Sequence, residues 1–295
     1  MKKTGFIGLG IMGNPMARNL LGSGVQLLVN DVSARAVERL REAGAQPAGR
    51  EEIGRACEIV FLILPNGAIC RDVIGGEDGL VRFMRPGSLV VDCSSVTPED
   101  SRFCADLLGK EGVAFLDAPV SGGEEGAVRG SLAIMAGGAE ADFARAKPYF
   151  DILGSKATLV GPVGSGSIAK LANQMIVNLN IAALSEALVF AKKAGADPER
   201  VVDAIRSGLA GSQVLEDKAP RMLRGDFTPG GKILINRKDI GNVLSTAHAL
   251  DIPVPMSAAL FEILQTLRIS GSLEEDHSAI IRYFERLAGL ESLQV

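Results

Sequence analysis

The chain has 295 residues, of which 47% are hydrophobic and 22% charged, and its formal net charge is −4. That length fits about two domains of roughly 100–200 residues each, and the composition excludes wholesale disorder. The acidic balance argues against a general nucleic-acid binder, which needs clustered lysine and arginine. No stretch approaches the ~20 uninterrupted apolar residues of a membrane span.

From the N-terminus, two lysines precede an apolar run, but Gly8 and Gly10 break it before any signal-peptide pattern develops. Residues 5–8 (GFIG) are therefore expected to form a first strand, followed by a helix at 12–21, a strand at 26–30 and a helix at 34–42. Residues 58–64 (EIVFLIL) are nearly all apolar, as suits a parallel strand covered on both faces. Strands at 88–92, 114–117, 132–136 and 157–160 alternate with helices at 98–110 and 140–150. Such βαβ alternation predicts a doubly wound α/β sheet with right-handed crossovers.

After GPVGSG (161–166) the pattern changes. Residues 167–194 predict one long helix, and further helices are expected at 198–207, 214–223, 237–250, 255–269 and 278–288, with no convincing strand. The expected domains are 1–163, α/β, and 164–295, all-helical and carrying substrate and self-association surfaces.

Gly8, Leu9, Gly10, Ile11, Met12 and Gly13 spell G-x-G-x-x-G between a strand and a helix, and the next strand ends at Asn30 and Asp31. This is the Rossmann-type dinucleotide fingerprint. Gly8 permits the tight turn, Gly10 lets backbone approach a pyrophosphate, and Gly13 lets helix and strand pack closely. The helix N-terminus then offers N–H groups to the anion. Asp31 suits a ribose diol and repels a 2′-phosphate, which favours NAD over NADP; nearby Arg35 softens that preference. The plainer alternative is a structural strand–helix turn.

Ser121, Gly122 and Gly123 close a second loop, DAPVSGG (117–123). It reads either as a nest for a small carboxylate or as an ordinary turn. Lys170 falls in the first turn of the long helix, with Asn173 and Gln174 three and four residues on. A lysine there opposes the helix dipole. It serves either as a general acid/base, its pKa drawn down by dipole and burial, or as a solvated surface residue. Lys238 and Asp239 alone read as an ion pair on a surface helix, His248 as packed and His277 as exposed. Cys57, Cys70, Cys93 and Cys104 lack metal spacing and fit buried thiols in a reducing compartment, the cytoplasm. With two histidines, a metal site is not expected.

Taken together, GLGIMGNPMARNL (8–20), DAPVSGGEEGA (117–127), GSGSIAKLANQ (164–174) and KD (238–239) resemble the β-hydroxyacid dehydrogenases over nearly the whole chain. The resemblance implies a nicotinamide cofactor bound by residues 8–13, Asn30, Asp31, Leu64, Pro65 and Ser95, with Ser94 beside it. It implies a substrate carboxylate on Ser121, Gly122 and Gly123, Lys170 as the catalytic residue, Asn173 orienting substrate oxygens, and Lys238 reaching cofactor and substrate. Stretches 170–188 and 208–220 look most like the branch that reduces tartronate semialdehyde (2-hydroxy-3-oxopropanoate) to D-glycerate. Enzymes for 3-hydroxyisobutyrate or succinic semialdehyde share every motif, and a non-catalytic NAD(P)-binding regulator shares the fingerprint. Relatives form homodimers or homotetramers. Where many of them carry Asn-Asn, this chain has Asn173 and Gln174.

Overall fold

The computed structural model describes residues 3–293. Five short parallel strands form the heart of the first unit: β1 (Thr4–Ile7), β2 (Leu27–Asn30), β4 (Ile59–Leu62), β5 (Leu89–Asp92) and β6 (Ala114–Asp117), with a two-residue β3 (Gln46–Pro47) at one edge. They lie in the order β3-β2-β1-β4-β5-β6. Alternation along each strand feeds two cores. Phe6, Val29, Phe61, Val91 and Leu116 face Met16 and Leu20 of α1 (Gly13–Gly22) and Phe150 of α7 (Glu140–Leu153). Ile7, Leu28, Val60, Val90 and Phe115 face Ile53 of α3 (Arg50–Ala56), Ile74 of α4 (Gly67–Gly75) and Leu108 of α5 (Pro98–Gly109). Strands sandwiched this way can be apolar on both faces.

The sheet is mostly parallel, as a doubly wound fold requires, but its far edge is mixed. After β6 the chain turns through Ala118 and Pro119 into β7 (Val120–Ser121), and α6 (Gly123–Arg129) leads to β8 (Leu132–Gly137). β8 runs antiparallel to both β6 and β7, and β9 (Gly154–Gly161) pairs parallel with β8. The pairs Asp117↔Gly137 and Val120↔Ile134 keep one register, and Met135 N donates to Pro119 O between them. So β6 and β7 are one line kinked at Pro119. Helices α2 (Ala34–Glu42) and α5 match the reading of the sequence, and Ser33 and Thr97 cap them. Helices α3, α4 and α6 were not foreseen, because they are short and lie among glycines.

The second unit is helical. Its members are the later turns of α8 (Ser165–Lys193), then α9 (Pro198–Ile205), α10 (Gln213–Arg224), α11 (Ile233–Ala249), α12 (Pro255–Ile269) and α13 (Ile281–Leu287). Ile181 and Leu188 of α8 share a core with Leu215, Ile240, Leu264 and Ile281. By length and composition α8 is apolar enough to cross a bilayer, but half of that stretch is buried. The chain divides into residues 1–170 and 171–295. That division falls inside α8, whereas the change of sequence pattern lies at the helix start.

Candidate active site

The glycine loop joins β1 to α1. Each of its three glycines has its own reason. Gly8 has φ +96°, and a Cβ there would lie 2.2 Å from Ile63 O. A Cβ on Gly13 would lie 1.9 Å from Gly8 O. Both are therefore closed by the protein's own backbone. At Gly10 a Cβ would meet nothing within 4 Å, so the space beside it is open. Helix α1 begins there with no side-chain cap and no acidic residue in its first turn. Uncapped N–H groups next to open backbone suit a pyrophosphate. Leu9 is buried, Met12 packs partly on the core, and Ile11 is 48% exposed.

Asp31 follows β2. Its Oδ2 accepts from Leu9 N at 2.6 Å and its Oδ1 from Ser33 N at 2.7 Å. The carboxylate thus sits at the rim of the glycine loop, fixed by two backbone donors. Asn30 donates its Nδ2 to Ala48 O at 2.8 Å, which fastens the end of β2. Leu64 and Pro65 follow β4, half-buried and exposed respectively. Ser95, also partly buried, follows β5. All these residues stand just beyond the carboxyl ends of adjacent parallel strands, where open α/β sheets bind ligands. Ser94 does not line that space. It is 1% exposed, accepts from Leu64 N at 2.7 Å and donates its own N–H to Asp92 Oδ1 at 2.9 Å, so it laces two strand ends together. Burial raises the Asp92 carboxyl above its ordinary value, against the Ser94 bonds.

The second glycine loop is a strand-to-helix junction rather than a turn between strands. Ser121 ends β7, Gly122 has φ +141° and Gly123 φ +63°, and α6 follows. Two successive left-handed positions require glycine. Glu124 and Glu125 occupy the first turn of α6, so an anion here depends on the loop N–H groups and the Ser121 hydroxyl.

Asp117, at the end of β6, stands in the sequence only as the first letter of the DAPVSGG motif. It proves central to the geometry. Oδ1 accepts from Gly164 N at 2.8 Å and Oδ2 from Ser167 N at 2.7 Å, so this carboxylate ties down the start of α8. Side chains at Gly137 or Gly166 would strike it, with Cβ atoms 2.5 Å from Asp117 Oδ1 and 2.4 Å from Asp117 O. Burial pushes the carboxyl up to about 6, against the lowering effect of the Gly164 and Ser167 bonds. Lys170 follows Ser167 by three residues and is buried. Because α8 starts at Ser165, Lys170 lies in the second turn, not the first, and the opposing helix dipole is weaker there than the sequence implied.

In the second unit Asn173 Nδ2 donates to Gln174 Oε1 at 3.0 Å, and Gln174 Nε2 donates to Asp239 Oδ2 at 2.6 Å. Lys238 Nζ pairs with Asp239 Oδ1 at 3.0 Å. Asp239 is 1% exposed, so the Lys238–Asp239 pair is no surface ion pair. The histidines also exchange expectations. His248 is exposed, whereas the His277 side chain is only 13% exposed and its Nδ1 lies 2.9 Å from Asn236 Nδ2. Burial lowers His277 to about 4. The four cysteines are buried and free, and no cluster of metal-ligating side chains occurs among the described residues.

A nucleotide fingerprint of this geometry at the carboxyl edge of a parallel sheet defines a dinucleotide-binding protein. Residues 3–161 match the NAD-binding domain of 6-phosphogluconate dehydrogenase, and residues 164–284 match the corresponding domain of NADP-dependent 3-hydroxyisobutyrate dehydrogenase. The chain is 43% identical to the 2-hydroxy-3-oxopropionate reductase of Escherichia coli strain K12, over 97% of this chain and 98% of that one. It superposes on the crystal structure of 3-hydroxyisobutyrate dehydrogenase from Salmonella typhimurium with TM-score 0.86 at 32% identity, covering 96% and 99% of the two chains. The structure of Psf3 in complex with NADP+ and 2-OPP matches with TM-score 0.86 at 25% identity, over 96% of this chain and 99% of that one. The chain belongs to the 3-hydroxyisobutyrate dehydrogenase family of NAD(P)-dependent hydroxyacid dehydrogenases.

Proposed function

We propose that this enzyme reduces tartronate semialdehyde to D-glycerate with NADH, using Lys170 as general acid. The observation that carries the substrate assignment is the 43% identity, over nearly the full length of both chains, to a reductase of that compound. The loop at residues 8–13 and the start of α1 hold the pyrophosphate, and Asp31 holds the adenosine ribose. Because Leu9 N and Ser33 N fix Asp31, its charge stays where a 2′-phosphate would sit, and this supports NADH over NADPH. When bound, the reduced nicotinamide supplies the hydride. Ser121, Gly122 and Gly123 bind the substrate carboxylate, and Lys238 adds a positive charge. Asn173 orients the substrate oxygens. Lys170 Nζ donates a proton to the carbonyl oxygen as it becomes an alkoxide, and Asp117 holds the helix that carries it.

The exposed face of α8 supports self-association as a homodimer or homotetramer. Ile176 (64% exposed) and Phe190 (73%) lie on it with exposed Ala172, Ala183 and Ala187. Light scattering at twice or four times the chain mass is the expected result; a monomer would refute it. Four buried free thiols fit a cytoplasmic location.

The test is steady-state reduction of tartronate, methylmalonate and succinic semialdehydes, each with NADH and NADPH. The expected outcome is a kcat/KM for tartronate semialdehyde well above the others, and higher with NADH. A ranking led by methylmalonate semialdehyde would instead assign 3-hydroxyisobutyrate as the product. Lys170→Ala should lower kcat on the order of 10³-fold with little change in NADH binding.

A further inference from the structure

Asn19 stands near the end of the motif at residues 8–20 and has no part in the functional reading above. It lies on α1, the helix that opens at the dinucleotide loop. Its Nδ2 group donates to Ala127 O at 2.8 Å and lies 3.5 Å from Val128 O. Both carbonyls belong to the last turn of α6, the helix that follows Ser121, Gly122 and Gly123. Carbonyl oxygens only accept, so the amide can meet them with its NH2 group alone. The helix behind one glycine loop thus grips the helix behind the other.

Helix α6 needs that grip. It has seven residues, too few to persist on its own account. Only Gly126 and Ala127 among them are buried, and together they bring one methyl group to the packing, so apolar burial contributes little. The last turn of a helix also leaves its carbonyls without partners. Here Ser131 N takes Gly126 O at 2.9 Å, whereas the N–H of Gly130 reaches Ala127 O only at 3.4 Å. Asn19 supplies the short bond to Ala127 O. Gly130 itself is left-handed at φ +63°, and a Cβ there would lie 2.7 Å from Ile152 O of α7. The end of α6 is therefore seated between a side chain of α1 and the backbone of α7.

We infer that Asn19 is a positioning residue for the substrate carboxylate: by tying α6 to α1, it fixes where Ser121, Gly122 and Gly123 stand relative to a bound dinucleotide. Gly122 and Gly123 have no side chains with which to hold the loop from within. Its place is set by the elements on either side. On one side β7 pairs with β8 through Val120 and Ser121. On the other is α6, with Asn19 as its anchor. Hydride transfer requires close alignment of donor and acceptor, so a small displacement of the carboxylate costs rate. The inference rests on the reading of this loop as the carboxylate site and adds the residue that places it.

The experiment compares tartronate semialdehyde with glycolaldehyde, the same aldehyde without its carboxylate. It measures kcat/KM for both in wild type, Asn19→Leu, Asn19→Asp and Ser121→Ala. The dissociation constants of NADH, and of D-glycerate from the NADH complex, are measured by calorimetry alongside. Asn19→Leu keeps the bulk but cannot donate. It should lose about 10-fold on tartronate semialdehyde, the scale of one hydrogen bond, and little on glycolaldehyde. Its D-glycerate dissociation constant should rise by a similar factor, and its NADH constant should hardly move. Asn19→Asp keeps the shape but sets an acceptor against two acceptors, so its selective loss should be larger.

A merely structural asparagine would lower both aldehydes in proportion, and that result would overturn the inference. So would an unchanged D-glycerate affinity in Asn19→Leu. Ser121→Ala separates the two levels of the argument. If its loss falls equally on both aldehydes, the reading of the loop as a carboxylate site fails and the inference falls with it. If its loss is selective for tartronate semialdehyde and that of Asn19→Leu is not, the role of Asn19 alone is wrong. Should Asn19→Leu not fold, Asn19→Asp decides by the same comparison, and should glycolaldehyde turn over too slowly, the D-glycerate constants decide.

Discussion

Asp117 in the first unit and Asp276 in the second are almost fully buried, at 1% and 0% exposure, and both gather N–H groups from nearby backbone. Asp117 holds Gly164 and Ser167. Asp276 holds Gly230 and Gly231 through Oδ2 at 3.1 and 3.0 Å, and Ser278 N and Oγ through Oδ1 at 3.0 and 2.7 Å. Lys218 Nζ adds a cation 3.5 Å from Oδ1. The same degree of burial has opposite consequences. Asp117 is pushed up to about 6, because burial outweighs its backbone donors. At Asp276 burial also raises the value, but His277, Lys218 and the Ser278 donors more than offset it and bring the carboxyl down to about 2. Since His277 is itself lowered to about 4 by burial, its ring is neutral above that pH. Lys218 and the four donors then sustain the Asp276 charge. Burial sets the size of the problem, and the neighbouring charges set its sign.

The largest effect should come from removing the better-compensated group. Asp276→Ala leaves four donors and a half-buried lysine without their acceptor. It should cost about 3–5 kcal/mol of stability, read as a fall in melting temperature. A loss below 1 kcal/mol would show that this carboxylate fastens nothing.

The next effect tests the sign difference directly. For Asp117, a folded pKa above the unfolded value means that stability falls as pH rises from about 4 to about 6. Asp117→Asn should therefore show its greatest deficit near pH 4, and the deficit should shrink by up to about 3 kcal/mol by pH 7. Asp276 behaves the other way. Its contribution is complete above the unfolded value and is lost as pH falls toward about 2. Denaturant titrations of Asp117→Asn and Asp276→Asn at several pH values should give opposite slopes. Parallel slopes would end the comparison.

Near neutral pH the smallest change belongs to His277. Its lowered pKa means that the unfolded chain takes up a proton before the folded one does. Stability should thus fall as pH drops from about 6.5 to about 4, by up to roughly 3 kcal/mol at the lower end and by a few tenths near pH 6.5. Replacing His277 with Asn should flatten that dependence. An imidazole resonance of His277 that titrated near pH 6.5 would contradict the burial argument.

Much of the first unit could be read from its sequence because its chemistry is backbone chemistry. Gly8, Gly10 and Gly13 announce themselves by spacing, and the apolar strands by continuity. The helical unit carries its chemistry in side chains brought together by the fold. Gln174 and Asp239 are 65 positions apart, and no periodicity links them. Asp117 was visible as a letter in a motif, but its grip on α8 depends on a 47-residue separation closed by the sheet. Lys238 and Asp239 looked like a surface pair because adjacent opposite charges usually are. His277 and His248 were assigned the wrong way round because burial of a single histidine leaves no local pattern. The antiparallel β8 was hidden because a strand's direction does not appear in its composition.

The position of the division between units has a consequence for anyone recombining this enzyme with its relatives. It falls within α8, between Lys170 and Leu171, so no loop separates the two halves. Residues to either side of that point keep a fixed helical phase within α8 itself. A chimera joined there inherits that phase only if the residue count is kept. One inserted residue would turn the rest of α8 by about 100° and shift it by about 1.5 Å along its axis. A crossover inside α8 therefore keeps the face of each later helix residue only when it is made in register.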